Sequence, residues 1–329
     1  MLEGLDTRIS LIYEPIADDL LQVEEKLASL SQTDMPHMAE LLEYVLQAGG
    51  KRMRPAITLL AGNIYPHNHA LPVIMGAAVE LLHVATLIHD DTVDNSPLRR
   101  GRRTVTDLWG KNVAVLLGDY VFATSAVFVC ETNNVRVIRR FSETLMDLSS
   151  GELQEYFSGS NSAPSRSEYE NCIYKKTASL FQTASETGAI LTDAPEDVVF
   201  ALKRYGYNIG MAFQVIDDIL DVMGNSQEIG KPVGNDLLQG VLTLPAINLM
   251  EKDPNCGPLN KLVSGNGRKD EAVVQEALGM LQDPEILSSC FAVARDYCTE
   301  AANALSIVPD SPARSSLLTL TEFVRERSY

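Results

Sequence analysis

Aromatic residues are scarce in this chain: phenylalanine, tryptophan and tyrosine make up 6% of 329 residues, with a single tryptophan. Hardly any stretch alternates apolar and polar residues, the pattern a half-buried strand needs, so a β-sandwich or barrel is excluded. Cations are also few. Lysine and arginine total 27 against 44 acidic residues, for a net charge of −17, which argues against nucleic acid or an anionic membrane surface as a partner. The five cysteines, Cys130, Cys172, Cys256, Cys290 and Cys298, are odd in number and form no C-x-x-C pair. They are expected to be reduced and mostly buried in a cytoplasmic protein. Met1 to Leu30 is amphipathic and acidic, with no apolar core of a signal peptide. Val113 to Cys130 is apolar enough to raise the question of a membrane span. Asp119 sits inside it and Gly118 precedes that, so a buried core helix is expected and no transmembrane segment.

What the chain has in quantity is helical material. It is 45% hydrophobic and rich in alanine and leucine, which lean helical. Length alone suggests about two domains. The most informative stretch is His-Asp-Asp-Thr-Val-Asp at 89–94, which closes an apolar run from Leu71 to Ile88. A helix turns about 100° per residue, so Asp90 and Asp94 share a face and Asp91 lies beside Asp94. Three carboxylates at a helix C-terminus repel one another and oppose the dipole, so a cation is required to hold them. Far along the chain the pattern returns as Asp217, Asp218 and Asp221, again after an apolar helical run. An acidic triple is usually a solvated face; two of them, each flanked by apolar residues, read instead as paired walls of a cavity. Donors that are all oxygen favour a hard cation, Mg²⁺ above others.

Around these clusters the helices read in order. Leu2–Leu30 is one helix, and Pro36 opens a second that runs to about Gln47. Gly49-Gly50 then breaks the chain before Lys51-Arg52-Met53-Arg54-Pro55, a plausible anion site at a helix start. His67 and His69 are expected in a solvent-facing loop. His83 lies on nearly the face of Asp90, two turns earlier. Leu98-Arg99-Arg100-Gly101-Arg102-Arg103 follows the first cluster directly. Segments 51–54 and 99–103 hold seven of the 27 cations, which suits a phosphorylated substrate bridged by metal. Helices are expected over Val113–Glu131 and Val135–Phe157. Ser165 and Glu168 form a capping box for a helix through Lys175-Lys176-Thr177 to Ile190, and Pro195 opens the second acidic helix, which ends near Met223. Gly224–Gly234 is expected as a lid, Asp253–Asp270 as an irregular connection, and two or three helices close the chain. The reading is all-α, with one domain over 1–329 because both acidic clusters must meet.

Gly-Gly-Lys-Arg-Met-Arg-Pro, Asp-Asp-Thr-Val-Asp followed by Arg-Arg-Gly, Lys-Thr, and Phe-Gln-x-x-Asp-Asp-x-x-Asp stand in this order between Gly49 and Pro245. In these motifs the chain resembles the trans-type isoprenyl (polyprenyl) diphosphate synthases. The resemblance implies an all-α helical bundle around one deep central cavity, of isoprenoid synthase type, usually in a homodimer. It implies Mg²⁺, three ions per active site with substrate bound, held by Asp90, Asp91 and Asp94 on one wall and Asp217, Asp218 and Asp221 on the other. Lys51, Arg54, His83 and Arg100 match positions for isopentenyl diphosphate. Arg99 and Lys176 match positions on the allylic diphosphate, with Lys231 closing over it, and Thr177 and Gln214 would line the reaction centre. One departure is visible: Gly240-Val241-Leu242-Thr243 stands where the family commonly has Gly-Lys-x-Thr, which removes one phosphate contact.

The reaction so implied is head-to-tail condensation. The allylic C–O bond breaks, the double bond of isopentenyl diphosphate attacks the allylic cation, and a proton is lost. The barrier is charge separation at the leaving group, so fixed cations matter and no nucleophilic serine or cysteine is required. In the family, the fifth residue before the first aspartate is a common floor for the growing chain. Here it is Ala85, with Thr86 beside it. Both are small, so a product of C25 or longer is expected, with Phe128 as a candidate deeper floor. A class I terpene cyclase would need no second diphosphate pocket, so Lys51, Arg54 and His83 count against it. A non-catalytic subunit typically loses aspartates, and all six are present; a requirement for a second, dissimilar subunit stays open.

Overall fold

A computed structural model describes residues 7–47, 49–65, 68–158, 164–224, 233–263 and 271–327. Helices follow one another as α1 (Thr7–Tyr13), α2 (Ala17–Ser29), α3 (Pro36–Leu46), α4 (Met53–Gly62), α5 (Ala70–Val93), α6 (Val105–Trp109), α7 (Lys111–Glu131), α8 (Val135–Ser158), α9 (Arg166–Ile173) and α10 (Ser179–Ile190). Then come α11 (Glu196–Met223), α12 (Asn235–Gln239), α13 (Leu244–Lys252), α14 (Gly257–Val263), α15 (Glu271–Leu281), α16 (Pro284–Ala304) and α17 (Pro312–Arg325). Among the described residues the only sheet is a two-residue antiparallel ribbon, β1 (Leu98–Arg99) against β2 (Arg102–Arg103). The all-α expectation holds.

Local chemistry sets most of the boundaries. Pro36 stands in the first turn of α3, where its missing N–H costs nothing. Ser165 and Glu168 close the expected capping box at the start of α9. Three expectations need correction. The first helix is not continuous: Pro15 lies in a 3₁₀ turn, Glu14–Ile16, between α1 and α2, because proline cannot donate the hydrogen bond a continuing helix needs. The helix expected through Lys175-Lys176-Thr177 passes through a π-helical turn at Tyr174–Ala178, where the Ser179 N–H reaches back to the Tyr174 carbonyl. The connection after Asp253 contains α14, which buries Leu259 and Leu262; fully burying a leucine contributes about 1.5–3 kcal/mol, enough to fold a short turn onto a core.

The chain forms two compact units. The first takes in Met1–Glu143, Leu180–Gly206 and Ala304–Leu320. Its axis is α5, which packs chiefly on α7, α4 and α2. Met75, Ala77, Ala78, Val79 and Leu81 of α5 are shut off from solvent. The α5–α7 approach is so close that a β-carbon on Gly118 would lie 2.2 Å from Nε2 of His89, so any larger residue there would push the His89 ring aside. The second unit takes in Thr144–Ser179, Tyr207–Asn303 and Thr321–Tyr329. Val215, Ile216, Ile219 and Val222 of α11 are buried, so the second motif rides on a helix whose apolar face is anchored.

Helices α5 and α7 are both long and apolar enough to cross a membrane by length and composition. In α5 the apolar residues are mostly inside the protein. For α7 the expectation of a core helix is half right: Ala114, Leu117, Val121, Phe128 and Val129 are buried, whereas Val115, Leu116, Tyr120 and Val127 face outward. All five cysteines are free thiols, and Cys256, Cys290 and Cys298 are buried.

Candidate active site

In the first unit, α5 presents His83, Ala85, Thr86, Asp90 and Asp91, with Asp94 as its C-cap residue. The Asp94 N–H closes the last helical turn on the Asp90 carbonyl at 2.9 Å. Both carboxylates therefore leave one face a turn apart, as their spacing requires. Asp91 is different. It is 7% exposed, and the Arg99 Nε donates to both its oxygens at 2.8 and 2.9 Å. This pair ties the arginine ribbon to the helix end. The turn is held further by the Thr104 hydroxyl on the Ser96 carbonyl, 2.7 Å, and by Thr92 against Thr106, 2.7 Å. Arg100 takes a left-handed backbone, φ 50°, beside Gly101, and its Nη1 donates to the Gly49 carbonyl at 3.3 Å. The two cationic segments seen in the sequence are thereby brought together. Their arginines do not act alike: Arg102 stacks over Tyr44, 4.6 Å from the ring centroid, and Arg103 pairs with Asp107.

Lys51 is exposed. The Arg54 guanidinium lies 4.5 Å from the Phe181 ring centroid. Burial, followed by the charges of Arg54, Arg100, Arg99 and Arg52, holds the His83 imidazole well below its ordinary value. The imidazole is thus neutral in this structure. Ala85 is 2% exposed, and the Thr86 hydroxyl donates to the His83 carbonyl at 2.8 Å. Phe128 is buried, with the Lys26 ammonium 4.4 Å over its ring. His69 faces solvent, as expected, just ahead of α5. Its Nδ1 lies 3.0 Å from Oδ2 of the buried Asp19. His67 and Lys231 lie outside the described residues, as does most of the expected lid.

In the second unit the α11 motif sits in a chain of hydrogen bonds. The Thr177 hydroxyl donates to Gln214 Oε1 at 2.6 Å, and Gln214 Nε2 donates to Asp218 Oδ1 at 2.8 Å. The Tyr169 hydroxyl donates to Asp218 Oδ2 at 2.6 Å. Asp218 is 3% exposed. Burial first, then the charge of Asp236, pushes its carboxyl well above the usual range, against the hydrogen bonds from Tyr169 and Gln214. Asp221 accepts the Asn235 and Asp236 N–H groups at 3.2 Å each and so caps α12. Lys176 is clasped by Glu152 at 3.0 Å and Glu155 at 2.7 Å. Burial would lower its pKa, but the two carboxylates outweigh it and the ammonium is held charged.

Asp217 meets a residue that sequence reading passed over. Arg327, third from the chain's end, donates to its Oδ1 at 2.6 Å and stacks on Phe213. Tyr169, Glu152 and Glu155 were likewise missed. The capping box flagged Tyr169's helix but not its target, and for Glu152 and Glu155, spaced i, i+3 on α8, only the helix itself was expected. Val241, at the family's usual lysine, is half-buried and donates its N–H to the Asp236 carbonyl at 2.8 Å.

Among the described residues no three carboxylate, imidazole or thiolate donors converge on one point. Mg²⁺ usually takes one or two carboxylates and fills its octahedron with water and phosphate oxygens. The all-oxygen aspartate sets of α5 and α11 fit that habit and need no closed protein cage.

An all-helical fold carrying two aspartate motifs, each with its own retinue of cations, defines an isoprenoid-synthase-type protein built for prenyl diphosphates. The chain belongs to the polyprenyl synthetase family, whose model matches residues 35–281. It is 34% identical to the nonaprenyl diphosphate synthase of Mycobacterium tuberculosis, over 99% of this chain and 98% of that one. It is 32% identical to the heptaprenyl diphosphate synthase component 2 of Bacillus subtilis, over 98% of this chain and 92% of that one. Among solved structures it superposes with a TM-score of 0.91 on a polyprenyl synthase from Caulobacter crescentus complexed with calcium and isoprenyl diphosphate, at 30% identity and 98% coverage of each chain.

Proposed function

We propose that this prenyltransferase adds isopentenyl diphosphate head-to-tail, in trans, to an allylic prenyl diphosphate and releases a linear polyprenyl diphosphate of C25 or longer. The observation that carries this reading is the presence of two intact aspartate motifs on anchored helices, each accompanied by positioned cations. In this reading residues 1–329 act as one catalytic domain, and both motifs take part in the same reaction.

When bound at Asp90, Asp91, Asp94, Asp217, Asp218 and Asp221, Mg²⁺, three ions per site, supplies countercharge to the departing diphosphate. The protein's own groups do the rest. Arg99, fixed by Asp91, and Lys176, fixed by Glu152 and Glu155, bind the allylic diphosphate, and Lys231 is assigned to the same group. Lys51, Arg54 and Arg100 bind the head of isopentenyl diphosphate by charge, and neutral His83 adds a hydrogen bond. Thr177 and Gln214 border the reacting carbons. The released diphosphate takes the final proton, so no side-chain base is assigned. Ala85 and Thr86 let the growing tail pass, and Phe128 marks the deeper floor.

The uncovered α7 side chains support a homodimer. Leu116 is 68% exposed and Val127 58% exposed, about one turn before and two turns after exposed Tyr120 on the same helix, and a second copy is the simplest cover for such a stripe. The reduced cysteines fit a cytoplasmic location. A second reading, in which this chain needs a dissimilar subunit, is favoured by its similarity to a protein named as a component. Incubating the purified chain with Mg²⁺, labelled isopentenyl diphosphate and farnesyl or geranylgeranyl diphosphate separates the two. A linear polyprenyl ladder supports a self-sufficient synthase. A cyclic hydrocarbon refutes the reading, and no turnover points to the missing subunit.

A further inference from the structure

Arg52 stands between Lys51 and Arg54, and its charge suggests a third ligand for the same diphosphate. Its geometry says otherwise. The guanidinium is turned inward and is 11% exposed. Nε donates to Glu24 Oε1 at 2.5 Å, Nη1 to Glu80 Oε1 at 2.7 Å, and Nη2 to both Glu24 Oε2 at 3.3 Å and the Leu46 carbonyl at 3.2 Å. Two carboxylates against one guanidinium leave the triad formally negative, so it holds no attraction for a phosphate. The backbone at Arg52 is left-handed, φ 49° and ψ 33°, a conformation that a residue with a β-carbon keeps only where its surroundings over-determine it. The Arg52 carbonyl accepts the Ala56 N–H at 3.0 Å and so starts α4. The neighbouring Lys51 carbonyl is pinned by the Tyr13 hydroxyl at 2.7 Å, and Tyr13 is 2% exposed.

We propose that Arg52 is a positioning residue: clamped by Glu24 and Glu80, and assisted by Tyr13, it fixes the left-handed turn from which Lys51 and Arg54 reach the isopentenyl diphosphate head, and it touches no phosphate itself. This rests on the reading that Lys51 and Arg54 take that head. Two variants test it without emptying the buried site. Arg52→Lys keeps the charge but loses the planar fork that grips two carboxylates and a carbonyl. Tyr13→Phe removes one hydroxyl and nothing else. Arg52→Lys should raise KM for isopentenyl diphosphate about tenfold and Tyr13→Phe about threefold, with KM for the allylic substrate within about twofold and kcat nearly unchanged. Thermal melts should show both variants folded. Lys51→Ala serves as the control. If it leaves KM for isopentenyl diphosphate unchanged, the assignment of that pocket fails, and the proposal with it. If it raises KM while both other variants are silent, or while they shift both substrates in step, the positioning role alone is overturned. An impaired Arg52→Lys beside a silent Tyr13→Phe would mean direct phosphate contact and would equally overturn it.

Discussion

Replacing Tyr169 by phenylalanine removes one oxygen from the protein and leaves the ring in place. The lost group is the donor to Asp218 Oδ2 at 2.6 Å, inside a site where Tyr169 is 5% and Asp218 3% exposed. A hydrogen bond contributes about 1 kcal/mol between neutral partners and about 1.5–3 kcal/mol to a charged one. Burial pushes the Asp218 carboxyl toward its neutral form, and Asp218 keeps its second donor, Gln214 Nε2 at 2.8 Å, so a loss of roughly 1–1.5 kcal/mol is expected. The phenylalanine ring fills the same volume, so a cavity contribution is not expected. The consequence for chemistry runs through Gln214, which also accepts from Thr177 at 2.6 Å. An Asp218 carboxyl free to swing releases both, and kcat should fall about tenfold, less than for loss of an aspartate in either motif. Urea unfolding at fixed protein concentration gives the stability change and single-turnover kinetics gives the rate. A variant whose unfolding free energy lies within about 0.5 kcal/mol of the parent, a typical surface-substitution effect, would refute the claim that this contact organises the second motif.

The remaining expectations concern metal, chain length and pH. Asp90→Ala or Asp217→Ala should lower turnover at least about a hundredfold with the fold intact, by analogy with loss of one oxyanion partner, and a near-normal rate would reject the metal assignment. Ala85→Tyr should shorten the product to farnesyl or geranylgeranyl length, because five residues of helix span only about 7.5 Å; an unchanged product ladder on thin-layer chromatography removes Ala85 from that role. Arg327→Gln frees Asp217 of its cationic partner, so Mn²⁺ used as a probe should bind more tightly by calorimetry, and weaker or equal binding would make Arg327 a support and not a competitor. His83 is held neutral in the folded chain, so its folded pKa lies below the unfolded value near 6.5. Its contribution is full above that value and is lost as pH falls below it, with a slope of at most about 1.4 kcal/mol per pH unit. His83→Gln should flatten the urea midpoint between pH 7 and 5.5, and parallel profiles would contradict the assignment.

Short-range periodicity was enough to read the helices and the aspartate faces. Asp90 with Asp94, and Asp217 with Asp221, follow from the helical repeat whatever packs around them, and Ser165 with Glu168 cap a helix through contacts three residues apart. The same locality explains what was misread. Pro15 was absorbed into one long apolar pattern although its own ring breaks the helix, and the π-helical turn at Lys176 leaves no mark in composition. Charge gave the inventory of cations but not their direction. Arg52 looked like its neighbours and was turned inward by Glu24 and Glu80, each 28 residues away. Asp217 looked like a ligand awaiting metal and was met by Arg327 from 110 residues further on.

By itself, then, the sequence determined which side chains share a helix face, because that depends only on the turn per residue and on backbone hydrogen bonds within a few positions. Tertiary structure alone decided which charges are spent inside the protein and which remain for a substrate. An ion pair forms where folding brings two distant groups into a poorly solvated place, and no local pattern encodes that meeting.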